Sequence, residues 1–325
     1  PKGVRVVNIR RLGLVKTGKM LWFAWACERV RRRGRYDLTI GLGKSFRQDL
    51  LRISGGPLAN FWELSKRAWP EGFPRSFKML RRRLSPANHL TRSIEPRQLK
   101  NARAIVVVSH LVRDWLLSAY PFVDPDKVHL IYNRPDLSLF SPALPGERER
   151  LRKEAHITAE QVVILTAGSN FGLKGLGTLI RALPLLPGTH VLHVAGDRNP
   201  HRWQRLAKGL GVSGRVHFLG KVSDMASAYR RSDLFCLPSM YDACSNAVLE
   251  GLACGLPVVS SRDNGSSFFL PDHAVADNPE DHRELAERIA TSLSRHIPDT
   301  PFAWPDTVAS GLPAYADLVR SLLNR

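Results

Sequence analysis

The second half of the chain alternates short, continuous apolar runs with segments of helical periodicity. The runs are QVVILTAGS, HVLHVAGD, RVHFLG, DLFCLPS and LPVVSS. Apolar runs without polar alternation are typical of parallel strands covered on both faces. Such strands, separated by helices of about ten residues, predict a doubly wound α/β domain.

The first half contains the same parts in a less regular order. Buried strands are predicted at 36–43, 102–110 and 127–133, and the opening stretch VRVVNIR also resembles a strand. Prolines and a charged run mark a domain boundary at 140–155. We therefore expect an α/β protein with two Rossmann-like, doubly wound parallel-sheet domains whose strand ends face a central cleft.

The expected domains are residues 1–145, residues 146–311, and a C-terminal helix at 312–325 that packs back toward the first domain. The 325 residues, 43% of them hydrophobic, suffice for two cores. The longest apolar run, Met20 to Cys27, is far shorter than the roughly 18 residues of a membrane-spanning helix. Four cysteines without metal-ligand spacing predict reduced packing residues in a reducing compartment.

The net positive charge of the protein is confined to its first third. Residues 1–103 contain 25 Lys and Arg against 6 Asp and Glu, a net charge of +19, whereas residues 104–325 contain 23 of each. A field concentrated on one domain indicates that this domain meets a polyanionic surface.

The segment TAGSNFGLKG (166–175) joins a predicted strand to a predicted helix. Its glycines allow close backbone approach, and the free amides of a helix start favour an anion. Lys174 adds a movable charge that suits a phosphate. The segment alone is equally consistent with a helix-capping loop that carries a solvated lysine.

The segment MYDACSNAVLEGLACGLPVVSS (240–261) places Asp242 in a turn after a strand and Glu250 on the following helix. A carboxylate accepts two hydroxyl hydrogen bonds, as in the binding of a sugar or a ribose diol. The amides of Ser245 and Asn246 at the helix start suit a phosphate. A purely structural role for the acids does not explain Glu250 on an otherwise apolar helix. Together these groups predict a nucleotide-sugar site.

The spacing of the two acids and the run GLACGLPVVSS resemble the signature of the family 4 retaining glycosyltransferases of the GT-B fold. The segments YNRPDLSLFSP, GSNFGLKG, HVAGD and RVHFLGKVSDMASAYRRSDLFCLPS match the family in order and spacing. The resemblance runs from about Tyr36 to Asp277. The phosphate loop is most similar to that of the lipopolysaccharide core glucosyltransferases, which reads Gly-Ser-x-Phe-Gly-x-Lys-Gly.

The resemblance implies a role for each matching residue. Asp242 faces the transferred sugar, Lys174 neutralises the diphosphate leaving group, and these two are the implied catalytic residues. The implied donor-binding residues are Gly168, Ser169, Lys174, Leu219, Gly220, Asp242, Ser245, Asn246 and Glu250, with Glu250 on the ribose and Leu219 and Gly220 near the base. No metal and no cofactor is implied, since a lysine and the start of a helix take the place of the metal cation that other transferases use on the leaving diphosphate.

The chain departs from the family pattern at several places. The first acid is Asp242 instead of Glu, the usual arginine of the phosphate loop is Leu173, and Arg134 replaces the hinge glycine. The acceptor loop has Gly55, Gly56 and a proline where relatives carry an Asp or His. The resemblance also implies that the first strand, glycine-rich loop and helix of the N-terminal domain are lacking.

The segment FWELSKRAWPEGFPRSFKMLRRRL (61–84) interleaves aromatic and basic residues, and its second part is an amphipathic helix. Such a helix is typical of a membrane-surface element, although it also fits one packed on its own domain. The expected acceptor and membrane residues are Gly55, Gly56, Trp62, Arg75, Lys78, Arg81, Arg82 and Arg83.

These observations predict a retaining hexosyltransferase that moves a sugar, with glucose as first candidate, from a UDP-linked donor to an anionic, lipid-linked saccharide such as lipopolysaccharide core. Its expected location is the inner face of a bacterial cytoplasmic membrane, and nucleic acid is not an expected partner. The alternatives are a non-catalytic relative that binds sugar nucleotides and a basic nucleic-acid-binding protein, which would bind in a strongly salt-dependent way.

Overall fold

The structure is a computed structural model that describes residues 6–9, 15–43, 45–295 and 302–324. Its N-terminal half is built on a four-stranded parallel sheet of order β1-β2-β3-β4. The strands are β1 (Ile40–Gly41), β2 (Leu50–Ile53), β3 (Ala104–Val107) and β4 (Val128–Leu130). Around them lie helices α1 (Lys16–Arg33), α2 (Leu58–Ser65), α3 (Phe73–Leu84), α4 (Pro86–Asn101) and α5 (His110–Ala119).

Several predictions for this half were too long or misplaced. The strand predicted at 36–43 is reduced to β1, and β2 lies partly in the stretch interpreted as a loop. Residues 6–9 of the proposed opening strand join no sheet, and the other residues of VRVVNIR fall outside the described ranges. Short strands bury few side chains, so their apolar pattern is weak evidence for their ends.

The C-terminal half is built on a six-stranded parallel sheet of order β10-β9-β8-β5-β6-β7. Its strands are β5 (Val162–Ala167), β6 (His190–Ala195), β7 (Val216–Gly220), β8 (Leu234–Leu237), β9 (Val258–Ser261) and β10 (Val275–Ala276). The helices are α6 (Glu147–Glu154), α7 (Leu176–Ala182), α8 (His201–Gly209), α9 (Met225–Arg230), α10 (Asn246–Ala253), α11 (His282–Arg295) and α12 (Gly311–Leu323). Every predicted strand of this half is present, and the prediction of two parallel-sheet α/β domains is confirmed.

The strand order of the second sheet reverses between β5 and β8. From β5 the chain proceeds outward to β6 and β7, and it then returns to place β8 on the other side of β5. A crevice opens at the carboxyl ends of the strands at such a switch point, where ligands of open α/β sheets bind. The loops after β5 and β8 are TAGSNFGLKG and MYDACSN, the two segments with candidate chemistry.

The two halves are joined by shared packing and by the last helix. Leu318 and Leu322 of α12 lie in one buried cluster with Leu50 and Val106 of the N-terminal sheet. A second cluster contains apolar residues from both sheets. The two loops with candidate chemistry therefore lie where the two sheets pack against each other.

Candidate functional site

The loop after β5 positions Lys174 next to the backbone of Gly168. A Cβ atom at Gly168 would lie 2.8 Å from Cγ of Lys174, so glycine leaves the space that the lysine stem occupies. Gly175, in the left-handed conformation with φ of 72°, ends the loop and begins α7. The loop thereby holds its lysine at the carboxyl edge of the sheet.

Lys174 and Asp242 form an ion pair that spans the switch point. Their side chains are 23% and 14% exposed. The backbone of Asp242 is fixed on both sides: its N–H donates to Asp263 at 2.9 Å, and its carbonyl accepts from Gly265 at 2.9 Å. The structure thus brings together the two residues predicted as catalytic, 68 positions apart in the chain.

The start of α10 differs in part from the prediction. The amide of Ser245 donates to Oδ1 of Asn264 at 3.3 Å, so this buried amide is used within the protein and was wrongly predicted to face a phosphate. Asn246 is exposed and is the first residue of α10, where amides have no intrahelical partner. Its side chain accepts a hydrogen bond of 2.8 Å from Asn133 of the N-terminal half.

Glu250 lies on α10 and is held by a buried tyrosine. The hydroxyl of Tyr229 donates to Oε2 of Glu250 at 3.1 Å and contacts the carbonyl of Ala247 at 3.0 Å. Burial raises the pKa of Glu250, and the hydrogen bond from Tyr229 opposes that rise. A carboxylate accepts several hydrogen bonds, so Glu250 keeps the capacity to accept from a diol.

The remaining donor residues line the same edge of the sheet. Arg198, in the loop after β6, donates through Nε to the carbonyl of Ser169 at 2.7 Å. Gly196 donates to the carbonyl of Gly220 at 2.8 Å, which links the ends of β6 and β7. Gly220 has a φ of 65°, and a Cβ atom there would meet no other atom within 4 Å, while Leu219 before it is half-buried.

The Gly-Gly loop of the N-terminal half touches the residue before Asp242. The hydroxyl of Tyr241 donates to the carbonyl of Gly55, and its ring stacks on Trp115 with centroids 4.9 Å apart. Gly56 has a φ of 66°, and a Cβ atom there would lie 2.6 Å from the Tyr241 hydroxyl. Both glycines therefore lie beside Tyr241, the residue that precedes Asp242. Trp62 packs instead against Arg92 of α4, whose guanidinium is 5.8 Å from its ring centroid.

Helix α3 exposes its apolar stripe to solvent. Phe73, Phe77, Leu80 and Leu84 are spaced as one helical face and are 79%, 49%, 52% and 68% exposed. No residue of α3 is buried. The alternative, in which this helix packs its apolar face on its own domain, does not agree with the structure.

The basic residues of α3 divide between two faces. Arg81 and Arg83 are exposed. Arg75 instead bonds the carbonyl of Trp69 at 3.0 Å and pairs with carboxylates of both halves, whereas Lys78 lies 4.7 Å from the Trp69 ring centroid.

Arg82 also turns inward. Its guanidinium donates to Oγ of Ser65 at 2.9 Å and stacks 5.3 Å from the ring centroid of Phe61, and burial lowers its pKa. The expectation that Arg75, Lys78 and Arg82 face a membrane is therefore wrong, because positions 75, 78 and 82 share the helix face that points into the protein.

Sequence reasoning did not identify the groups that fix the two acids. Arg67 donates to the carbonyl of Met240 at 3.1 Å and forms an ion pair with Asp263, so it ties the N-terminal half to the Asp242 loop. The hydroxyl of Tyr229 donates a hydrogen bond to the carboxylate of Glu250. An arginine in a basic run and a tyrosine in an apolar helix have no distinguishing pattern, and only the fold shows their partners.

Two family models match the chain. The model described as Glycosyl transferases group 1 matches residues 161–295, and the model described as Glycosyltransferase Family 4 matches residues 68–139. The chain carries glycosyltransferase domains. The resemblance found in the sequence is thereby confirmed, because the two models match both halves.

Individual relatives agree with this assignment. The chain is 28% identical over 239 residues to the D-inositol 3-phosphate glycosyltransferase of Mycobacteroides abscessus, covering 68% of this chain and 53% of that protein. It is 30% identical over 163 residues to the lipopolysaccharide glucosyltransferase WaaG of Escherichia coli, covering 48% and 44% respectively. The chain thus spans about half the length of these curated relatives.

Solved structures show the fold. A crystal structure of WaaG superposes with a TM-score of 0.74 at 22% identity, over 91% of this chain and 79% of that one. Anabaena HepE in complex with UDP and glucose has a TM-score of 0.58 at 20% identity, over 76% and 69% respectively. The GT-B fold is therefore confirmed. Among the residues described, no helix is long and apolar enough to cross a membrane.

Proposed function

We propose that this chain transfers a hexose, with glucose as first candidate, from a UDP-linked donor to a membrane-linked saccharide such as lipopolysaccharide core, with retention of the anomeric configuration. The observation that supports it most is the Lys174–Asp242 pair at the switch point, in a chain with glycosyltransferase domains. WaaG is named a lipopolysaccharide glucosyltransferase, and HepE was crystallised with UDP and glucose.

In this proposal the ion pair is the resting state of the site. When the donor binds, Lys174 moves its charge to the diphosphate, and Asp242 is released to accept hydroxyl hydrogen bonds from the hexose. The first-turn amides of α10, beginning at Asn246, support the same diphosphate. Glu250 accepts from the ribose. A lysine and a helix start thus neutralise the leaving group in place of a metal ion.

The transfer itself breaks the bond between the anomeric carbon and the diphosphate oxygen. The acceptor hydroxyl oxygen forms the new bond on the same face of the sugar, and its proton passes to the leaving phosphate oxygen. The Gly55–Gly56 loop offers no side chain for that proton, which favours the phosphate as acceptor.

The membrane-linked acceptor is proposed from helix α3. Its exposed stripe of Phe73, Phe77, Leu80 and Leu84 suits the interface of a bilayer, and Arg81 and Arg83 beside it suit anionic lipid. Peripheral binding at the inner face of the cytoplasmic membrane would bring the cleft to a lipid-linked sugar.

The donor site is tested by thermal shift and calorimetry with UDP, GDP, ADP and their glucose conjugates. We expect a shift with UDP and UDP-glucose that is lost in Glu250→Ala and kept in Glu149→Ala, an exposed glutamate of α6. Transfer of radiolabelled glucose to lipopolysaccharide core acceptors then tests the reaction. A wild-type protein that binds none of the nucleotides contradicts the proposal and leaves the basic surface as the function to pursue.

A further inference from the structure

A cavity of about 310 Å³ lies between the two halves, beside the donor loop. Its walls come from the segment 61–84 on one side and from the loops after β5 and β6 on the other. Lys174 and Asp242 do not line this cavity, whereas Ser169 of the donor loop does, so the cavity adjoins the donor site. A volume of this size admits a monosaccharide or a phosphate with part of its sugar.

Three arginines line this cavity: Arg82 from α3, and Arg198 and Arg202 from the C-terminal half. Of the residues that the structure describes, no aspartate or glutamate lines it. None of the three arginines forms an ion pair with any residue that the structure describes. Arg82 is partly buried, and its hydrogen bonds go through Nη1 to the neutral groups Ser65 Oγ and Met79 Sδ.

The neighbouring cavity of about 710 Å³ is lined by carboxylates as well as by arginines. There Arg67 pairs with Asp263, and Arg75 pairs with Glu71 and Glu280. Two of the five arginines that line that cavity therefore have carboxylate partners among the described residues, whereas none of the three in the smaller cavity has one. Burying a guanidinium without a carboxylate costs free energy unless an anion supplies the missing charge.

Arg198 is in a position to connect this cavity with the donor loop. Its Nε is used by the carbonyl of Ser169, which leaves the terminal nitrogens of the fork available in the cavity. Arg202 follows by four positions, at the start of α8, and its guanidinium lies 4.8 Å from the ring centroid of Trp203. A guanidinium fork binds phosphate and carboxylate oxygens in a bidentate way.

We infer that this cavity is an anion subsite for the acceptor, and that it binds a phosphate or carboxylate group on the saccharide that receives the sugar. The inference rests on the proposed glycosyltransferase function and adds a chemical class to its acceptor. The acceptor enters from the side of α3, whose outer face suits the membrane and whose inner face contributes Arg82. Leu173 on the same wall is neutral, so the positive charge of this cavity comes from the three arginines.

The subsite is tested by isothermal titration of the whole chain with inorganic phosphate, glucose 6-phosphate, glucuronate and glucose at low and physiological salt. We expect the two sugar anions, or one of them, to bind while glucose does not. Glucose 6-phosphate and glucuronate separate a phosphate-bearing from a carboxylate-bearing acceptor. Arg202→Gln, at an exposed position that lines the cavity, should weaken the binding about tenfold.

The matched control is Arg83→Gln, which removes the same charge from the outer face of α3 and should leave anion binding unchanged. A phosphate that binds at the donor loop instead would be lost in Lys174→Met, because Lys174 does not line the cavity, and such a loss would contradict the subsite. UDP binding, measured on the same samples, should survive Arg202→Gln. The UDP measurement distinguishes a failure of the proposed donor site from a failure of the anion subsite, since the anion titration does not require a working donor site.

Three results would overturn the inference. The first is an absence of anion binding by the wild-type chain. The second is equal weakening by Arg202→Gln and Arg83→Gln, which would assign the binding to general surface charge. The third is a loss of UDP binding in Arg202→Gln, which would assign the cavity to the donor. Arg82→Gln is a second variant, and its unfolding midpoint is measured alongside because its guanidinium is packed on Phe61.

Discussion

The two halves of the molecule use arginine in different ways. In the C-terminal half, Arg148 and Arg152 both bind the carboxylate of Asp233, at 2.6 and 2.9 Å, and they also bond backbone carbonyls. In the N-terminal half, Arg82 has only neutral partners and Arg83 is exposed. Arg148 and Arg152 are thus neutralised within their own half, whereas Arg82 and Arg83 keep their charge for a ligand or a surface.

The same contrast applies to apolar surface. The strands β5, β6 and β8 are buried along almost their whole length. Helix α3 has its large apolar side chains exposed. A helix that turns three of its basic residues inward and its apolar stripe outward is the inverse of a helix that packs its apolar face on a core. The N-terminal half is therefore arranged to meet something outside the chain, and the C-terminal half to hold a small ligand.

Lys174→Met gives the largest effect expected, because it removes the cation at the switch point. The leaving diphosphate loses its main partner, and Asp242 is left without a counter-charge. Loss of one preorganised group that stabilises developing charge typically lowers kcat by about 10²–10³-fold. Sugar transfer is measured with saturating donor, and Lys153→Met, an exposed lysine of α6, serves as the control. Unchanged kcat in Lys174→Met would show that the ion pair is only structural.

The double variant Phe77→Asp, Leu80→Asp tests the outward face of α3. Each full burial of such a side chain contributes about 1.5–3 kcal/mol, so binding to vesicles should fall by tens of fold or more. Flotation with phosphatidylglycerol and phosphatidylcholine vesicles measures it. The double variant Arg81→Gln, Arg83→Gln should weaken binding less, by about 1 kcal/mol per charge, and only at low salt. Equal vesicle binding by wild type and Phe77→Asp, Leu80→Asp would contradict the membrane role of α3.

Gly56→Ala tests the contact that joins the halves. The residue has a φ of 66°, and the new Cβ would lie 2.6 Å from the hydroxyl of Tyr241. Left-handed strain and this close approach together should lower the free energy of unfolding by about 1–3 kcal/mol. Gly55→Ala is the control, since an added Cβ there meets nothing within 4 Å. Calorimetric unfolding midpoints should therefore drop for Gly56→Ala alone, and equal midpoints would remove the argument for this contact.

The sequence predicted the C-terminal half well because its strands are continuous apolar runs and its site residues lie at strand ends. Lys174 and Asp242 were identified in this way, and the fold then brought them together. The direction of the Ser245 amide was not predictable, since its partner Asn264 lies 19 positions away on another loop.

The N-terminal half was predicted less well for a physical reason. The pattern of α3 fixes which residues share a face, but not which face the rest of the protein covers. Arg82 and Arg83 are neighbours of the same type, and they differ only in that one points to Ser65. Strand β2 includes Arg52, whose side chain bonds Asn133 at 2.8 Å and Tyr315 at 2.8 Å. These partners lie 81 and 263 positions away, so local pattern contains no sign of them.

Tyr229→Phe gives the smallest expected effect and tests how the C-terminal half sets its ribose acid. Burial raises the pKa of Glu250, and the Tyr229 hydroxyl lowers it again by donating to the carboxylate. The variant should raise that pKa further. Since the ionised form accepts the ribose hydroxyls, UDP affinity should fall toward acid pH in the wild type, and this fall should begin at higher pH in the variant.

The raised pKa of Glu250 also makes the stability of the protein depend on pH. When the pKa of a carboxyl is higher in the folded than in the unfolded protein, the folded state favours the neutral carboxyl. The contribution of that carboxyl to stability is therefore complete below the unfolded pKa and is lost as the pH rises through the folded pKa. Tyr229→Phe should therefore be less stable than wild type near neutral pH and closer to it in acid. Tyr120→Phe removes another Tyr–Glu hydrogen bond, that of 2.7 Å to Glu95 in the N-terminal half, and should leave the UDP profile unchanged. Calorimetric UDP titrations over a pH series decide the matter: if the two tyrosine variants give the same profile, Glu250 does not bind the nucleotide in its ionised form.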